Sequence, residues 1–176
     1  IIMRKFFFVS SCLLFFVSAL YAQAPLEKGG AQLNAGLGFS TWGVPVYVGA
    51  DFGIHPAITI GPKLSYRKYN DKFLGGEYSQ SLTVISFNGN YHFNELLNLT
   101  SQWNVYAGLS LGYYIWSDVK WNNNSNAAFG GEATGLGLDL QVGGRYFFND
   151  KWALNLELGG GTGSGGSFGV TYKLQK

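Results

Sequence analysis

Residues 135–148 read GLGLDLQVGGRYFF, and apolar side chains occupy every second position of this stretch. One set comprises Leu136, Leu138, Leu140, Val142, Tyr146 and Phe148, and the other Gly137, Asp139, Gln141, Gly143 and Arg145. Successive side chains of a β-strand point to opposite faces, so this period of two predicts a strand with one apolar and one polar face. No helical periodicity competes with it. The following Asn149 and Asp150 predict a tight turn into another strand.

The same alternation continues from Gly30 to the end of the chain and predicts about eight strands. The predicted strands cover 30–40, 44–54, 58–69, 81–93, 103–116, 135–148, 152–160 and 167–174. Pro62 lacks an amide hydrogen, so we expect a bulge or a local gap in the ladder there. Runs of about 9 to 12 residues suit a tilted strand that crosses a bilayer. The expected fold is therefore all-β, an antiparallel up-and-down barrel.

The composition of the polar face favours a membrane barrel over a soluble one. Only 12% of the 176 residues are charged, whereas soluble proteins average about 25%. The predicted polar face is mostly Gly, Ser, Asn and Gln, which suit a cramped lumen. Its charges have both signs and are Asp51, Asp139, Glu157, Lys63, Arg67, Arg145 and Lys173. We expect them to form a packing network, with Arg145 close to Glu157 if the hairpin closes at Asn149 and Asp150.

Aromatic residues gather at the ends of the predicted strands. Trp42, Trp116 and Trp121 lie at outer ends, with Tyr66, Tyr69 and Tyr113. Trp103 and Trp152 lie at inner ends, with Tyr91, Phe93, Tyr146, Phe148 and Tyr172. Aromatic rings with a polar edge prefer the headgroup layer of a bilayer, so two such girdles predict a transmembrane barrel.

The first residues predict a secretory signal. Arg4 and Lys5 precede an apolar run over residues 6–20 and a small-residue exit. We expect translation to start at Met3 and cleavage to follow Ala22. The predicted division is a signal peptide over 3–22, a short linker over 23–29 and a transmembrane barrel over 30–176.

Cysteine and charge usage narrow the possible functions. Cys12 is the one cysteine of the chain and lies within the predicted signal peptide. We therefore expect no disulfide, thiolate metal site or cysteine nucleophile in the mature protein. The net charge of +2 gives no reason to expect a nucleic-acid partner. The glycines of residues 159–166 lie between two strands rather than before a helix, so they predict a hairpin loop and not a phosphate-binding loop.

The connections between strands predict two different rims. The expected outer connections are 41–43, 70–79, 117–131 and 161–166, and the expected periplasmic ones are 55–56, 94–102 and 149–151. An even number of strands returns both termini to the periplasmic side. The two longest outer loops, 70–79 and 117–131, contain Trp121 and Phe129 and are the predicted contact surfaces.

Two stretches resemble a known family. Residues 167–174, SFGVTYKL, resemble the C-terminal assembly signal of outer-membrane barrels, although Gln175 and Lys176 follow where many members end at the aromatic residue. Residues 143–159 resemble the penultimate hairpin of the small OmpX/OmpA-type barrels. The resemblance implies location in a Gram-negative outer membrane, contact with outer-membrane lipid and insertion by the barrel-assembly machinery through the last strand.

The resemblance also implies a non-enzymatic envelope protein that has a structural role or presents its outer loops to an extracellular partner. A barrel of about eight strands has an interior just wide enough for side chains, which disfavours a general diffusion pore. Three alternatives remain open: a lipid-modifying enzyme, a soluble periplasmic barrel that binds an apolar ligand, and a narrow channel.

Candidate catalytic groups are few. His55 and His92 lie near the predicted periplasmic rim without a Ser or acidic partner that spacing can place, so we interpret both as interfacial or turn residues. Asp139 and Glu157 remain a formal carboxylate pair for lipid chemistry. The sequence predicts no catalytic residue, cofactor site or metal site.

Overall fold

The computed structural model describes residues 26–41, 43–73, 76–122, 133–163 and 165–174. The strands are β1 (Ala31–Phe39), β2 (Val46–His55), β3 (Ile58–Phe73), β4 (Gly76–His92), β5 (Trp103–Trp116), β6 (Lys120–Trp121), β7 (Gly135–Phe147), β8 (Trp152–Gly161) and β9 (Gly165–Leu174). The predicted signal peptide, Trp42 and Phe129 lie outside the described residues.

Eight long strands form a closed antiparallel barrel within the described part of the chain. Sequence neighbours pair with one another, and β1 also pairs with β9 over its whole length, from Ala31 opposite Leu174 to Phe39 opposite Gly166. Each long strand therefore has a partner on both sides, which leaves no open edge in the ring. The two-residue strand β6 pairs only with β4, above the ring. The predicted eight-stranded up-and-down barrel is confirmed.

Apolar side chains cover the outside of the barrel, and polar side chains fill its inside. Leu138 is 56% exposed and Leu156 is 49% exposed, whereas Thr171 is completely buried. In water, such an exterior would be a very large apolar patch. The predicted orientation is confirmed, and a soluble barrel with an apolar ligand inside is excluded because its faces would be reversed.

No α-helix of the described residues is long and apolar enough to cross a membrane.

The hairpin of β3 and β4 is longer than the sequence predicted. The two strands stay paired up to Phe73 opposite Gly76, so most of the predicted outer loop 70–79 is strand. Both faces of this part carry polar residues, because it lies above the apolar band. Without an apolar face there is no alternation of hydrophobicity for sequence analysis to detect.

Pro62 causes a gap in the ladder, as predicted. The β2–β3 ladder pairs Gly49 with Lys63 and resumes at Phe52 opposite Ile60. A Cβ atom on Gly61 would overlap the carbonyl oxygen of Ala50, so the strands approach too closely here for a larger residue.

The end of the predicted linker folds against the inner end of the barrel. Leu26 is buried, and the amide of Gly29 donates to the carbonyl of Gly53 at 2.7 Å. Phe147 and Ala153 are fully enclosed beside each other at the same end. The inner end of the lumen therefore has apolar packing.

Candidate functional site in the barrel lumen

The lowest polar layer of the lumen is built around His92. Its Nε2 atom lies 2.9 Å from Thr59 Oγ1, and its Nδ1 atom lies 2.9 Å from Asn104 Oδ1. The ring is 2% exposed, so the interpretation of His92 as an interfacial or turn residue is wrong. Its partners come from β3 and β5, which sequence spacing could not place. His55 is the last residue of β2, and its Nδ1 atom accepts from the amide of Ala57 in the following turn at 3.2 Å, which agrees with its prediction as a residue at the periplasmic turn.

The middle layer is a buried ion pair between Asp51 and Arg145. Asp51 Oδ2 accepts from Arg145 Nη2 at 2.7 Å, Gln32 Nε2 at 2.8 Å and Asn34 Nδ2 at 2.9 Å. The guanidinium carbon of Arg145 also lies 4.4 Å from the ring centroid of Tyr106. Buried charges are stabilised by this combination of an opposite charge and hydrogen bonds.

Arg145 forms its ion pair with Asp51. The sequence placed it close to Glu157, and the two residues do line the same inner cavity, but Glu157 pairs with Lys63. In the β7–β8 ladder Arg145 lies opposite Asn155, while Glu157 lies opposite Gly143. That register places Glu157 one inward-facing position nearer the outer end than Arg145. Asp51 reaches Arg145 across the lumen from β2, a contact between residues 94 positions apart.

The upper layer joins Lys63 to Glu157. Lys63 Nζ lies 2.5 Å from Glu157 Oε1, and the Tyr106 hydroxyl donates to Glu157 Oε2 at 3.0 Å. The Tyr47 hydroxyl donates to Asn155 Oδ1 at 2.7 Å, and Lys63 Nζ lies 4.9 Å from the centroid of the Tyr47 ring. These groups together fill the cross-section of a narrow barrel.

Glycines on the lumen wall make room for the tyrosine rings. A Cβ atom on Gly143 would overlap the ring of Tyr106, and one on Gly137 would lie 2.5 Å from the ring of Tyr114. The hydroxyl of Tyr47 would lie 2.6 Å from a Cβ atom on Gly169. The high glycine content predicted a cramped lumen, and these three contacts show how the space is used.

Two cavities of unequal size lie in the described lumen, and the upper layer separates them. The outer cavity has a volume of about 120 Å³ and the inner one about 20 Å³. Tyr47, Lys63 and Glu157 line both cavities. A water molecule needs roughly 10–15 Å³ on this measure, so the inner cavity has room for about one water molecule and the outer cavity for several.

Arg67 and Asp139 lie in the wall of the outer cavity. Arg67 Nη1 donates to Ser40 Oγ at 3.1 Å. Asp139 accepts from the hydroxyl of Tyr114 and from the amide of Gly163, the latter at 2.8 Å. The structure thus brings Asp139 and Glu157 to one cavity, but different donors occupy the two carboxylates. Among the described residues, no cluster of three His, Cys, Asp or Glu side chains could hold a metal ion.

Aromatic contacts mark the inner rim. The ring of Trp103 lies 4.9 Å from that of Tyr146, and Trp152 lies 4.7 Å from Tyr172, between centroids. Both pairs face outward at the predicted inner girdle. Trp121 differs from the prediction, because its ring packs on Gly76 of the β3–β4 hairpin and not at the end of a transmembrane strand.

No protein-family model matches the sequence, and no curated protein matches it significantly. Several solved structures share its fold. The outer membrane protein OprG from Pseudomonas aeruginosa aligns with a TM-score of 0.60 at 11% identity, over 86% of this chain and 98% of OprG. The N-terminal β-barrel domain of Pseudomonas aeruginosa OprF aligns with a TM-score of 0.53 at 15% identity, over 84% and 98% of the two chains.

A de novo designed transmembrane β-barrel also aligns, with a TM-score of 0.53 at 14% identity, over 86% of this chain and 100% of the design. Similarity at these identities shows the fold, and a barrel designed without a natural function shows that the fold alone specifies none. The apolar exterior of the closed barrel suits a lipid bilayer, and the fold is the one that these outer-membrane barrels have. The resemblance to the small OmpX/OmpA-type barrels is consistent with these matches.

Proposed function

We propose that this protein is a non-enzymatic outer-membrane protein that presents a rigid surface at its outer end to an extracellular partner. The observation that carries the proposal is the length of the β3–β4 hairpin. Its strands have 16 and 17 residues, whereas about 9–11 residues are enough to cross the membrane. About six residues of each strand therefore extend above the barrel wall, roughly 20 Å of strand at about 3.3 Å per residue.

A third strand stiffens this outer extension. β6 pairs with β4 through Tyr78 opposite Trp121. Beyond that pair, Glu77 and Asn122 are joined twice, because the amide of Glu77 donates to Asn122 Oδ1 and the amide of Asn122 donates to the Glu77 carbonyl, each at 2.9 Å. A preorganised surface loses less conformational entropy on binding than a loose loop does.

The surface of the extension has the composition of a contact site. The rings of Tyr69 and Tyr78 lie 6.0 Å apart in an edge-to-face arrangement. Asp71 shares the face of these two rings, and Lys72, Glu77 and Lys120 are exposed charges on the other face of the extension. Tyrosine supplies much of the binding energy in protein interfaces, and a charged rim adds selectivity.

The packed lumen supports a non-enzymatic protein, and it also supports the expectation that the barrel is not a general diffusion pore. Its ion-pair layers and the apolar packing near Phe147 fill much of the cross-section, and the two cavities described above have volumes of about 120 and 20 Å³. We also propose that the exterior contacts outer-membrane lipid directly and that β9, which closes the barrel against β1, is the strand recognised during insertion.

Photo-crosslinking in intact cells tests the interaction role. A photoreactive amino acid at Glu77 or Lys72 should give a protein adduct of defined mass after irradiation, because both positions lie on the exposed part of the extension. The same amino acid at Lys151, in the inner turn, should not give that adduct. The absence of an adduct at both outer positions, or the same adduct at Lys151, would refute the proposal.

A shortened hairpin provides the matched variant. Deletion of residues 70–73 together with 76–79 removes paired positions from both strands and preserves the inside–outside alternation below. We expect this variant to insert and to keep its heat-sensitive electrophoretic mobility, because the transmembrane ladder is unchanged. A photoreactive amino acid at Lys120 should give the protein adduct in the protein with the full-length hairpin and should not give it in the shortened variant.

A further inference from the structure

The outer cavity contains a cation whose hydrogen-bonding capacity is largely unused by the described residues. A guanidinium has five N–H donors in one plane. Among the described residues, one acceptor is used: Arg67 Nη1 donates to Ser40 Oγ at 3.1 Å. Asp139 interacts with Arg67 electrostatically, but the two make no salt bridge. The side chain is half-buried and lines the outer cavity, so donors that no described residue accepts lie at the cavity wall.

A second donor lies two positions away on the same face of β3. Ser65 lines the same cavity as Arg67, and no described residue accepts or donates a hydrogen bond at its hydroxyl. Because residues i and i+2 of a strand share a face, the hydroxyl and the guanidinium both point into the cavity. Together they form a two-part donor set.

The other charges of the cavity already have partners. Both oxygens of Glu157 are occupied, by Lys63 and by Tyr106. Both oxygens of Asp139 are occupied, by Gly163 and by Tyr114. The carboxylates therefore have little hydrogen-bonding capacity left for a cationic ligand, whereas Arg67 keeps N–H donors that none of the described residues accepts.

We propose that the outer cavity binds a small oxyanion, a carboxylate or a phosphate, through the guanidinium of Arg67 and the hydroxyl of Ser65. Arginine suits this ligand class because its planar donors match two oxygens of a carboxylate or phosphate. A volume of about 120 Å³ admits an ion of that size and excludes a large one. The nearby charge of Asp139 opposes an anion, so the dissociation constant should be on the order of 1 mM. This site goes beyond the interaction role proposed above.

The test is an NMR titration of the full mature chain in nanodiscs made of zwitterionic lipid, with inorganic phosphate and acetate as the two probes at constant ionic strength. We expect saturable shifts of the Arg67 side-chain Nε–Hε signal and of the Ser65 and Gly163 amides with at least one probe. Because the bilayer is zwitterionic, no anionic lipid headgroup is present that could supply the phosphate group in place of the added probe. Arg67→Gln should weaken binding roughly tenfold or more, since a charge-assisted hydrogen bond contributes about 1.5–3 kcal/mol.

Lys68→Gln is the matched control, because it removes the same charge one residue away on the exposed face of β3. Binding should be unchanged in this variant. Ser65→Ala should weaken binding by a smaller factor and gives a second variant if Arg67→Gln fails to fold. Absence of saturable shifts with both probes, or equal weakening by Arg67→Gln and Lys68→Gln, would overturn the proposal.

Discussion

Asp51 and Arg145 are a strongly enclosed pair of charges, 3% and 4% exposed. Their energetic role follows from what each would lose without the other. Removing one partner of a buried ion pair leaves a charge without compensation and costs about 3–5 kcal/mol. The Nε atom of Arg145 already lacks a hydrogen-bond partner among the described residues, so the guanidinium depends heavily on Asp51.

Asp51→Asn should therefore lower the free energy of unfolding by about 3–5 kcal/mol. Urea unfolding of the protein in lipid vesicles, followed by tryptophan fluorescence, measures this quantity. The double variant Asp51→Asn with Arg145→Met should be less destabilised than Asp51→Asn alone, because it contains no orphaned charge. A double variant that is destabilised by the sum of the two single effects would contradict this account.

The sequence predicted which residues line the lumen but not which of them pair. Alternation assigned Asp51, Arg145 and Glu157 to one face, and the structure agrees. The predicted partner of Arg145 was wrong because the sequence allows only one kind of proximity to be inferred, that between residues of the same hairpin. Contacts across a closed barrel join residues far apart in sequence, and the pairs Asp51–Arg145 and Lys63–Glu157 are both 94 positions apart. His92 was misinterpreted for the same reason.

At the scale of the strands, glycine and tyrosine fit together across the β5–β7 ladder. Tyr106 lies opposite Gly143, and its ring occupies the space that a side chain at Gly143 would need. The next residue, Gly144, faces the lipid side, and the nearest atom to a Cβ there is the carbonyl oxygen of Asn104 at 3.9 Å. Two adjacent glycines of one strand thus have opposite steric environments.

Gly143→Ala should destabilise the barrel by about 1–3 kcal/mol, because the added methyl group must displace an enclosed ring. Gly144→Ala should change stability by less than about 1 kcal/mol, with stabilisation expected because alanine restricts the unfolded chain. The same vesicle unfolding assay compares the two. Equal losses in both variants would show that backbone effects, and not the ring of Tyr106, decide the result.

Strands inside the apolar band were predicted well, and those outside it were not. The predicted strand 103–116 matches β5 (Trp103–Trp116) at both ends, since its alternation runs from one rim to the other. The strand predicted at 58–69 continues to Phe73 as β3. Residues 70–73 and 76–79 are held by cross-strand backbone hydrogen bonds in water, where nothing requires an apolar face. The two-residue strand β6 (Lys120–Trp121) is too short to show any alternation in the sequence.

For the whole molecule, the exposed leucines make sense only if lipid surrounds the barrel. Leu140 lies near the middle of β7, between the outer contact of Leu136 with Tyr113 and the inner contact of Tyr146 with Trp103. Leu136 is 76% exposed and Leu140 is 64% exposed, so both side chains meet the surrounding medium. Their depth in the bilayer is what distinguishes them.

Leu140→Arg should cost about 2–4 kcal/mol of unfolding free energy in vesicles, whereas Leu136→Arg near the interface should cost about 0–1 kcal/mol. The difference arises because a guanidinium at the midplane cannot reach water, while one near the rim can extend to the headgroups. On a water-facing surface, both substitutions would change stability by no more than about 0.5 kcal/mol. Similar small effects at the two positions would therefore contradict the transmembrane assignment of the apolar band, and a large effect confined to Leu140 would locate the bilayer midplane on β7.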